Sequence, residues 1–257
     1  AIQEAAFTGG FKKIIIYNCR GHRFLGCGLG PDSNEIIIEV YGSPGDYLGS
    51  GLDGAKISVH NSVQDQCANI IKYGEIYVFG DAGQCLMYGA KGGSVYVMGN
   101  VAGRPLINAV GKAKLIINGT ALDYLAESFM AGDPLQKGGF AILNGIIINE
   151  DGTITEMEEP YPGSNLLSLA SGGAIYIRDP NRKISTDQLN GGKITRLTHQ
   201  DWNLILPYLK KNEELFNIPI ELLLSHKGKI KDPLEVYIKV VPDIHKALLP
   251  EEAWVKG

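Results

Sequence analysis

Residues Gly80–Gly99 read GDAGQCLMYGAKGGSVYVMG, with six glycines and only two charged residues. Just upstream, Gly49–Gly54 (GSGLDG) fits the nucleotide-binding pattern G-x-G-x-x-G. These glycines either cradle a phosphate or turn the corners of a repeat, and the surrounding chain decides between the two. Short apolar runs start at Ile14, Ile36, Ile57, Ile76, Val95 and Leu115, at intervals of 22, 21, 19, 19 and 20 residues. Each run is rich in β-branched or aromatic residues, which favours strand over helix. Phe140 resumes the series after an insertion, DPLQK. A weaker register lies between the runs, at Leu48, Cys67, Cys85, Leu106 and Leu125.

Each unit therefore reads as strand, glycine turn, short apolar segment, glycine turn. That is one coil of a β-solenoid, in which successive coils stack and equivalent side chains form inward columns. A hexapeptide helix needs a period near six and a propeller needs about 40 residues or more per unit. The expected fold is all-β: a single-stranded parallel β-helix of about seven coils, each roughly 20 residues long. Residues 1–198 form the helix and residues 199–257 a C-terminal tail of helix and strand. Gly26, Gly28, Gly49, Gly51, Gly80, Gly83, Gly89, Gly99 and Gly103 are assigned to the turns, where corners with positive φ or close coil-to-coil packing favour glycine. A dinucleotide site would need a strand leading into the glycines and a helix leaving them. GSGLDG leads into the strand KISVH instead, so a structural turn is expected there. GRPLINAVGKAK lacks the spacing and the Ser or Thr of a P-loop.

Glycine contributes 33 of 257 residues, well above the usual share of about 7 %. Net charge is −4 with both signs scattered, which gives no electrostatic case for nucleic acid or an anionic membrane surface. No apolar run approaches the roughly 20 residues of a membrane span. The four cysteines form no C-x-x-C pair and are expected to be reduced and buried. No secretion signal precedes the first strand, so a cytoplasmic location is expected. The chain opens on Ala1, as in a processed protein or a piece of a longer one.

The tail changes character. PYPGS reads as a surface turn, and GGAIYIRDP and GGKITRLT read as two further strands. Thr198 with Asp201 forms a capping-box-like helix start. A helix follows with apolar positions at Trp202, Ile205, Leu206, Leu209, Leu215 and Phe216. Pro207 is expected to kink or split it. Such a helix, with ELLLSHKG, can cover the open apolar end of the stack.

No catalytic constellation emerges. The five histidines fall in no H-E-x-x-H, and no G-x-S-x-G occurs. His22 and His60 are expected at solvated turns. Asp46 and Asp123 lie four coils apart, on the order of 19 Å at the strand spacing, too far for paired glycosidase carboxylates. Local turn hydrogen bonds are expected of them. Asn118-Gly-Thr fits a glycosylation acceptor but follows a strand. Arg104 and Gln84 are expected as solvated corners. A polysaccharide-acting β-helix enzyme would show clustered Asp or Arg in a cleft, and none is visible.

GDYLGSGLDGAKISV, and then IIKYGEIYVFGDAGQCLMYGAKGGSVYVMGNVAGRPLINAVGKAKLIINGTALDYLAESFMAG, resemble the GXGXG domain over roughly residues 10 to 145. That domain closes the large subunit of glutamate synthase and recurs as one component of formylmethanofuran dehydrogenase. Val236–Leu249 (VYIKVVPDIHKALL) looks like the end of the glutamate synthase subunit, a strand, a Val-Pro-Asp segment and a short basic helix. The resemblance implies a right-handed parallel β-helix without chemistry of its own, a non-catalytic part of an oxidoreductase. It implies glutaminase-like and FMN and iron–sulfur synthase-like partners, held so that ammonia passes internally, with no cofactor in this chain. It also implies a free-standing GXGXG subunit; a formylmethanofuran dehydrogenase-type component is the alternative, and self-association is left open. The Cys67 unit departs from the pattern by lacking its turn glycine.

Overall fold

In the computed structural model, which describes residues 1–149 and 151–243, the apolar runs become strands. They are β1 (Lys13–Arg20), β2 (Ile37–Ser43), β3 (Asp53–Val59), β4 (Tyr73–Val78), β5 (Ser94–Val97), β6 (Lys114–Ile117) and β7 (Phe140–Leu143). A hairpin of β8 (Ile146–Ile148) and β9 (Ile154–Glu156) is inserted before β10 (Ala174–Arg178). Strands β1 to β7 and then β10 pair in parallel, each with the next. The register explains why apolar residues recur at two alternate positions of each run. Ile38, Ile57, Ile76, Val95 and Leu115 form one inward column, and Val40, Val59, Val78, Val97 and Ile117 another. All ten are at most 1 % exposed. Full burial of such a side chain is worth about 1.5–3 kcal/mol, and every coil repeats it. The fold is a parallel β-helix, as expected.

The opposite wall of each coil is a ribbon in which alternate residues take positive φ. The triplets are Phe24/Gly26/Gly28, Tyr47/Gly49/Gly51, Gln66/Ala68/Ile70, Cys85/Met87/Gly89, Arg104/Leu106/Asn108, Tyr124/Ala126/Ser128 and Asn165/Leu167/Leu169. Five consecutive ribbons, from Tyr47 to Ser128, recur every 19 or 20 residues, while the first and last coils carry insertions. So the uninterrupted stack has five coils rather than seven. A non-glycine residue in this region costs about 1–2 kcal/mol. Hydrogen bonds between ribbons offset that cost: Gln66 N–H donates to Gln84 O at 2.8 Å, Ala68 to Leu48 at 2.8 Å and Ile70 to Tyr88 at 2.7 Å. In the five triplets from Tyr47 to Ser128 the outer two N–H groups point to the next coil and the middle one to the preceding coil, as in a parallel ladder. The Cys67 unit manages this without glycine.

The ribbon also corrects the second register. The carbonyls that receive the middle N–H groups belong to Leu25, Leu48, Cys67, Leu86, Pro105 and Leu125. Cys85 and Leu106 therefore sit one residue off the column that spacing alone assigned to them. PYPGS is not a surface turn either. Tyr161 is fully buried and its hydroxyl donates to Ser164 O at 2.9 Å.

Strand β11 (Gly192–Arg196) precedes helix α1 (His199–Phe216), and then come α2 (Ile220–Leu224), β12 (Ser225–His226), β13 (Lys229–Ile230), α3 (Pro233–Val236) and β14 (Tyr237–Pro242). Pro207 lies inside α1 without splitting it. β14 inserts antiparallel between β10 and β11, so a strand of the tail joins the main sheet beyond the last coil. The antiparallel β14–β11 pair, not α1, continues the stack at that end. Helix α1 instead lies along the outer face of the sheet, where Ile205, Leu209 and Phe216 pack with Tyr77, Tyr96, Ile116, Ile142 and Tyr176. The basic helix expected after the Val-Pro-Asp segment lies outside the described residues.

Two polar anchors hold α1 there. Asp201, at the capping box with Thr198, is fully buried and accepts from the Tyr176 hydroxyl at 2.8 Å and the Lys239 ammonium at 2.7 Å. Asn212 and Asn118 exchange amide hydrogen bonds at 2.9 Å, and Asn144 extends the pair to the Tyr237 hydroxyl. Asn118 is completely buried in this network, which leaves no room for a glycan. Burial pushes the Asp201 carboxyl up, but hydrogen bonds from Lys239, Thr198 and Tyr176 outweigh it and hold the group below its ordinary value. Glu156 is likewise lowered, because contacts with Arg178 and His226 exceed the cost of its burial. A carboxyl with a depressed folded pKa stabilises the protein above its unfolded pKa, roughly 3.9–4.3 here, and that stabilisation fades as pH falls through the folded value. Urea midpoints should therefore be insensitive to these two groups above about pH 5 and fall below about pH 4. In Asp201→Asn the acid-side decline should be shallower, and an unchanged profile would remove Asp201 from the acid response.

Candidate functional site

The turn glycines occupy two kinds of place. Gly26, Gly28, Gly49, Gly51 and Gly89 lie in the positive-φ ribbons. At Gly49 a Cβ would meet Ile76 Cδ1 at 2.6 Å, whereas at Gly51 it would meet open space. Gly80, Gly83 and Gly99 have ordinary φ but lie against the preceding coil, where a Cβ would come within 2.6 Å of Ser62 Oγ and closer still to Asp65 Oδ1 and Asp81 Oδ1. At Gly103 the nearest atom to an added Cβ is 3.7 Å away, so neither φ nor crowding explains that glycine. No glycine of the GSGLDG match stands at a helix start: Asp53–Val59 is a strand.

The polar residues singled out by sequence are spread along the stack, and most of them bond to a neighbouring coil. Asp65 Oδ1 receives the Gln84 N–H at 2.8 Å, and Asp123 Oδ1 receives the Ser164 N–H of the next ribbon at 2.7 Å. Asp46 pairs with Arg23 at 3.3 Å. Arg104 is no bare corner: it pairs with Glu127 at 2.6 Å and lies 4.4 Å over the Tyr124 ring. His22 Nδ1 accepts from the Arg20 N–H at 3.2 Å. All four cysteines are free thiols. Burial pushes Cys67 up to about 12 and raises Cys27 and Cys85 as well, so these three are protonated, weakly nucleophilic groups at neutral pH. Among the described residues no cluster of three or more His, Cys, Asp or Glu side chains is arranged to hold a metal ion. No described helix is long and apolar enough to cross a membrane.

What the structure does bring together is an uncovered outer face. The outward column runs Ile15, Glu39, Ser58, Tyr77, Tyr96, Ile116, Ile142, Tyr176 along the paired strands. From Tyr77 onward it is buried under α1, whereas over β1 and β2 it is open. Ile15, Ile37 and Tyr41 are 46 %, 39 % and 40 % exposed, and Tyr17 is 71 % exposed. Beside that column runs an aromatic stack. Tyr17 and Tyr41 centroids are 5.1 Å apart, Tyr41 and His60 4.3 Å, and His60 and Phe79 5.0 Å. Phe216, at the end of α1, meets Phe79 edge-on at 5.1 Å. The His60 imidazole is further fixed by Glu39 at 2.8 Å, so it is a rung of this stack and not a loosely solvated turn residue.

The sequence reading missed this face. Its signal was present as aromatic residues at equal offsets, Tyr17, Tyr41, His60 and Phe79 each lying three residues beyond Ile14, Ile38, Ile57 and Ile76 of the first inward column, but nothing local said which rungs a helix would cover.

A stack of coils with an aliphatic interior, polar corners bonded from coil to coil and an uncovered stretch of sheet face defines a parallel β-helix. The family model for the GXGXG motif matches residues 11–243, and this chain belongs to that family. It is also 34 % identical over 214 residues to an uncharacterised protein of Methanocaldococcus jannaschii, a match covering 81 % of this chain and 75 % of the relative.

Proposed function

We propose that this chain is the scaffold of a glutamate synthase-type assembly, docking glutaminase-like and FMN and iron–sulfur synthase-like subunits in the cytoplasm. In this reading it contributes no cofactor and holds the partners so that ammonia passes between their sites during glutamate formation. The observation that carries it is the bare outer face of β1 and β2, apolar and aromatic where the rest of the same face is sealed by the chain's own helix. Contiguous exposed apolar surface of this kind is the mark of an interaction site, and tyrosine is enriched among the residues that dominate binding energy. Family membership is consistent with this reading, and the tail strand β14, within the stretch that carries the resemblance from Val236, favours the glutamate synthase branch.

Affinity purification from the native host tests the reading. It expects co-elution of a glutaminase-like chain and a yellow flavoprotein, with glutamine-dependent glutamate formation only when all are combined. The double variant Ile15→Ser/Tyr17→Ser should lose partner binding by at least about 30-fold, the equivalent of one interface hot spot, with little change in its own melting temperature. Elution as a lone, colourless protein, or full retention of partners by that variant, would overturn it.

A further inference from the structure

A second feature lies elsewhere on the stack, at the turns that lead into β3 to β6. There a groove of about 710 Å³ is lined by five lysines, Lys56, Lys72, Lys91, Lys112 and Lys114, and by a single carboxylate, Glu75. The chain as a whole carries a net charge of −4, so this concentration of positive charge runs against its composition. Two columns of the repeat produce it. At the strand entrance the paired positions are Lys56, Glu75, Ser94 and Lys114. In the preceding turn, the N–H groups of Lys72, Lys91 and Lys112 donate to Leu52, Ile71 and Lys91 of the coil before.

The charges are not evenly compensated. Lys56 pairs with Glu75 at 3.2 Å and Lys72 with Asp53 at 3.8 Å, both at the same end of the groove. Lys91, Lys112 and Lys114 have no carboxylate within 4 Å among the described residues. They line the groove together with the glycine pair Gly92–Gly93. A Cβ on Gly92 would overlap the carbonyl oxygen of Lys72. Tyr208 of α1 forms part of the wall, and its ring is held edge-on to Phe140 at 5.0 Å. Burial, with the neighbouring Lys112 charge, lowers the Lys114 ammonium below the ordinary lysine value. Three clustered cations in a concave wall form a local potential that attracts and concentrates anions.

We propose that this groove binds a small polyanion, a molecule carrying two or more linked phosphoryl groups, across Lys91, Lys112 and Lys114 with the Ser94 hydroxyl as an additional donor. The volume falls in the range of small-ligand clefts, about 300–1,000 Å³. Coils step by about 4.8 Å, so ammonium groups on neighbouring coils reach successive phosphoryl groups of one chain. Lysine is a compact point charge with rotatable donors, suited to phosphoryl oxygens without the planar fork of arginine. The basic groups span only these few coils, too short a track for a nucleic-acid strand to follow.

The experiment titrates the purified full chain with inorganic pyrophosphate at low ionic strength, observed by calorimetry, with orthophosphate and an oligoglutamate peptide as comparators. Saturable pyrophosphate binding is expected, stronger than orthophosphate and weakened by added salt. Lys91→Gln/Lys112→Gln should weaken it at least about tenfold, and Lys12→Gln/Lys13→Gln, at the far end of the stack, should not. Both lysines of the first pair are exposed, so the melting temperature of that variant without ligand should match the parent; this separates lost binding from lost folding. Absence of saturable pyrophosphate binding, equal binding by the groove variant, or oligoglutamate binding more tightly than pyrophosphate would each overturn the proposal, the last by assigning the groove to an acidic protein segment. None of these outcomes depends on the scaffold reading, because no partner protein takes part in the titration.

Discussion

Replacing Asp201 with alanine is expected to cost about 3–5 kcal/mol of unfolding free energy, the loss typical of breaking a buried ion pair on one side. The carboxylate is 1 % exposed and serves four donors at once: Lys239 Nζ, the Tyr176 hydroxyl, and the Thr198 N–H and hydroxyl. Its removal leaves an ammonium 14 % exposed with no counter-charge and takes away the carboxylate half of the α1 capping box. The helix is also the cover for Tyr77, Tyr96 and Ile116, so weaker anchoring bears on the whole outer face. Asp201→Asn should cost less, because the amide keeps the shape and an acceptor oxygen. Urea denaturation at pH 7 measures both. A loss under about 1 kcal/mol for alanine would place the contact among surface ion pairs and remove it as the anchor of the helix.

Gly74→Ala is expected to be the second severe change, with a loss of about 3 kcal/mol or more. Gly74 has φ +107°, and a Cβ there would lie 2.5 Å from the Ala55 carbonyl oxygen and 3.1 Å from Leu52 Cδ2. The overlap is with backbone of the preceding coil, which cannot rotate away. Gly51→Ala is the internal control. Its φ of +69° carries the same kind of strain, but nothing lies within 4 Å of the added methyl, so about 1–2 kcal/mol is expected. Equal losses at the two sites would show that φ alone, not coil-to-coil contact, makes glycine necessary. The sequence reading chose Gly51 for its motif and passed over Gly74, which sits inside a strand.

That contrast marks how much of the molecule was legible. Inward columns were readable because an aliphatic residue must recur at each coil whatever surrounds it. The ribbon was only half legible. Gly26/Gly28 and Gly49/Gly51 advertise alternate positive φ, but Gln66, Ala68 and Ile70 adopt the same backbone with no local sign of it. Their strain is offset by hydrogen bonds to the coils on either side, a term no local reading contains. The same limit shifted Cys85 and Leu106 by one residue, since both neighbouring positions are apolar. Among the polar residues, neither Asp123 nor Arg104 bonds within its own turn: Asp123 receives Ser164, 41 residues on, and Arg104 meets Glu127, 23 residues away, both across to a neighbouring coil.

The amino-acid sequence by itself determined the period, the all-β class and the parallel stacking, because each coil of about 20 residues must bury its own β-branched run against the next. It also determined the capping box at Thr198 and Asp201, which is closed within four residues. Only the tertiary structure decided where the tail goes. Amphipathicity says that α1 needs an apolar surface, and both the open end and the sheet face offered one; Asn118, Asn144, Tyr176 and Lys239 supply buried polar partners on the sheet face. Its placement there seals β4 to β10 and leaves Ile15, Tyr17, Ile37 and Tyr41 uncovered. In the same way Lys91, Lys112 and Lys114, unremarkable along the chain, become one charged groove because stacking brings their coils within a few ångströms of one another.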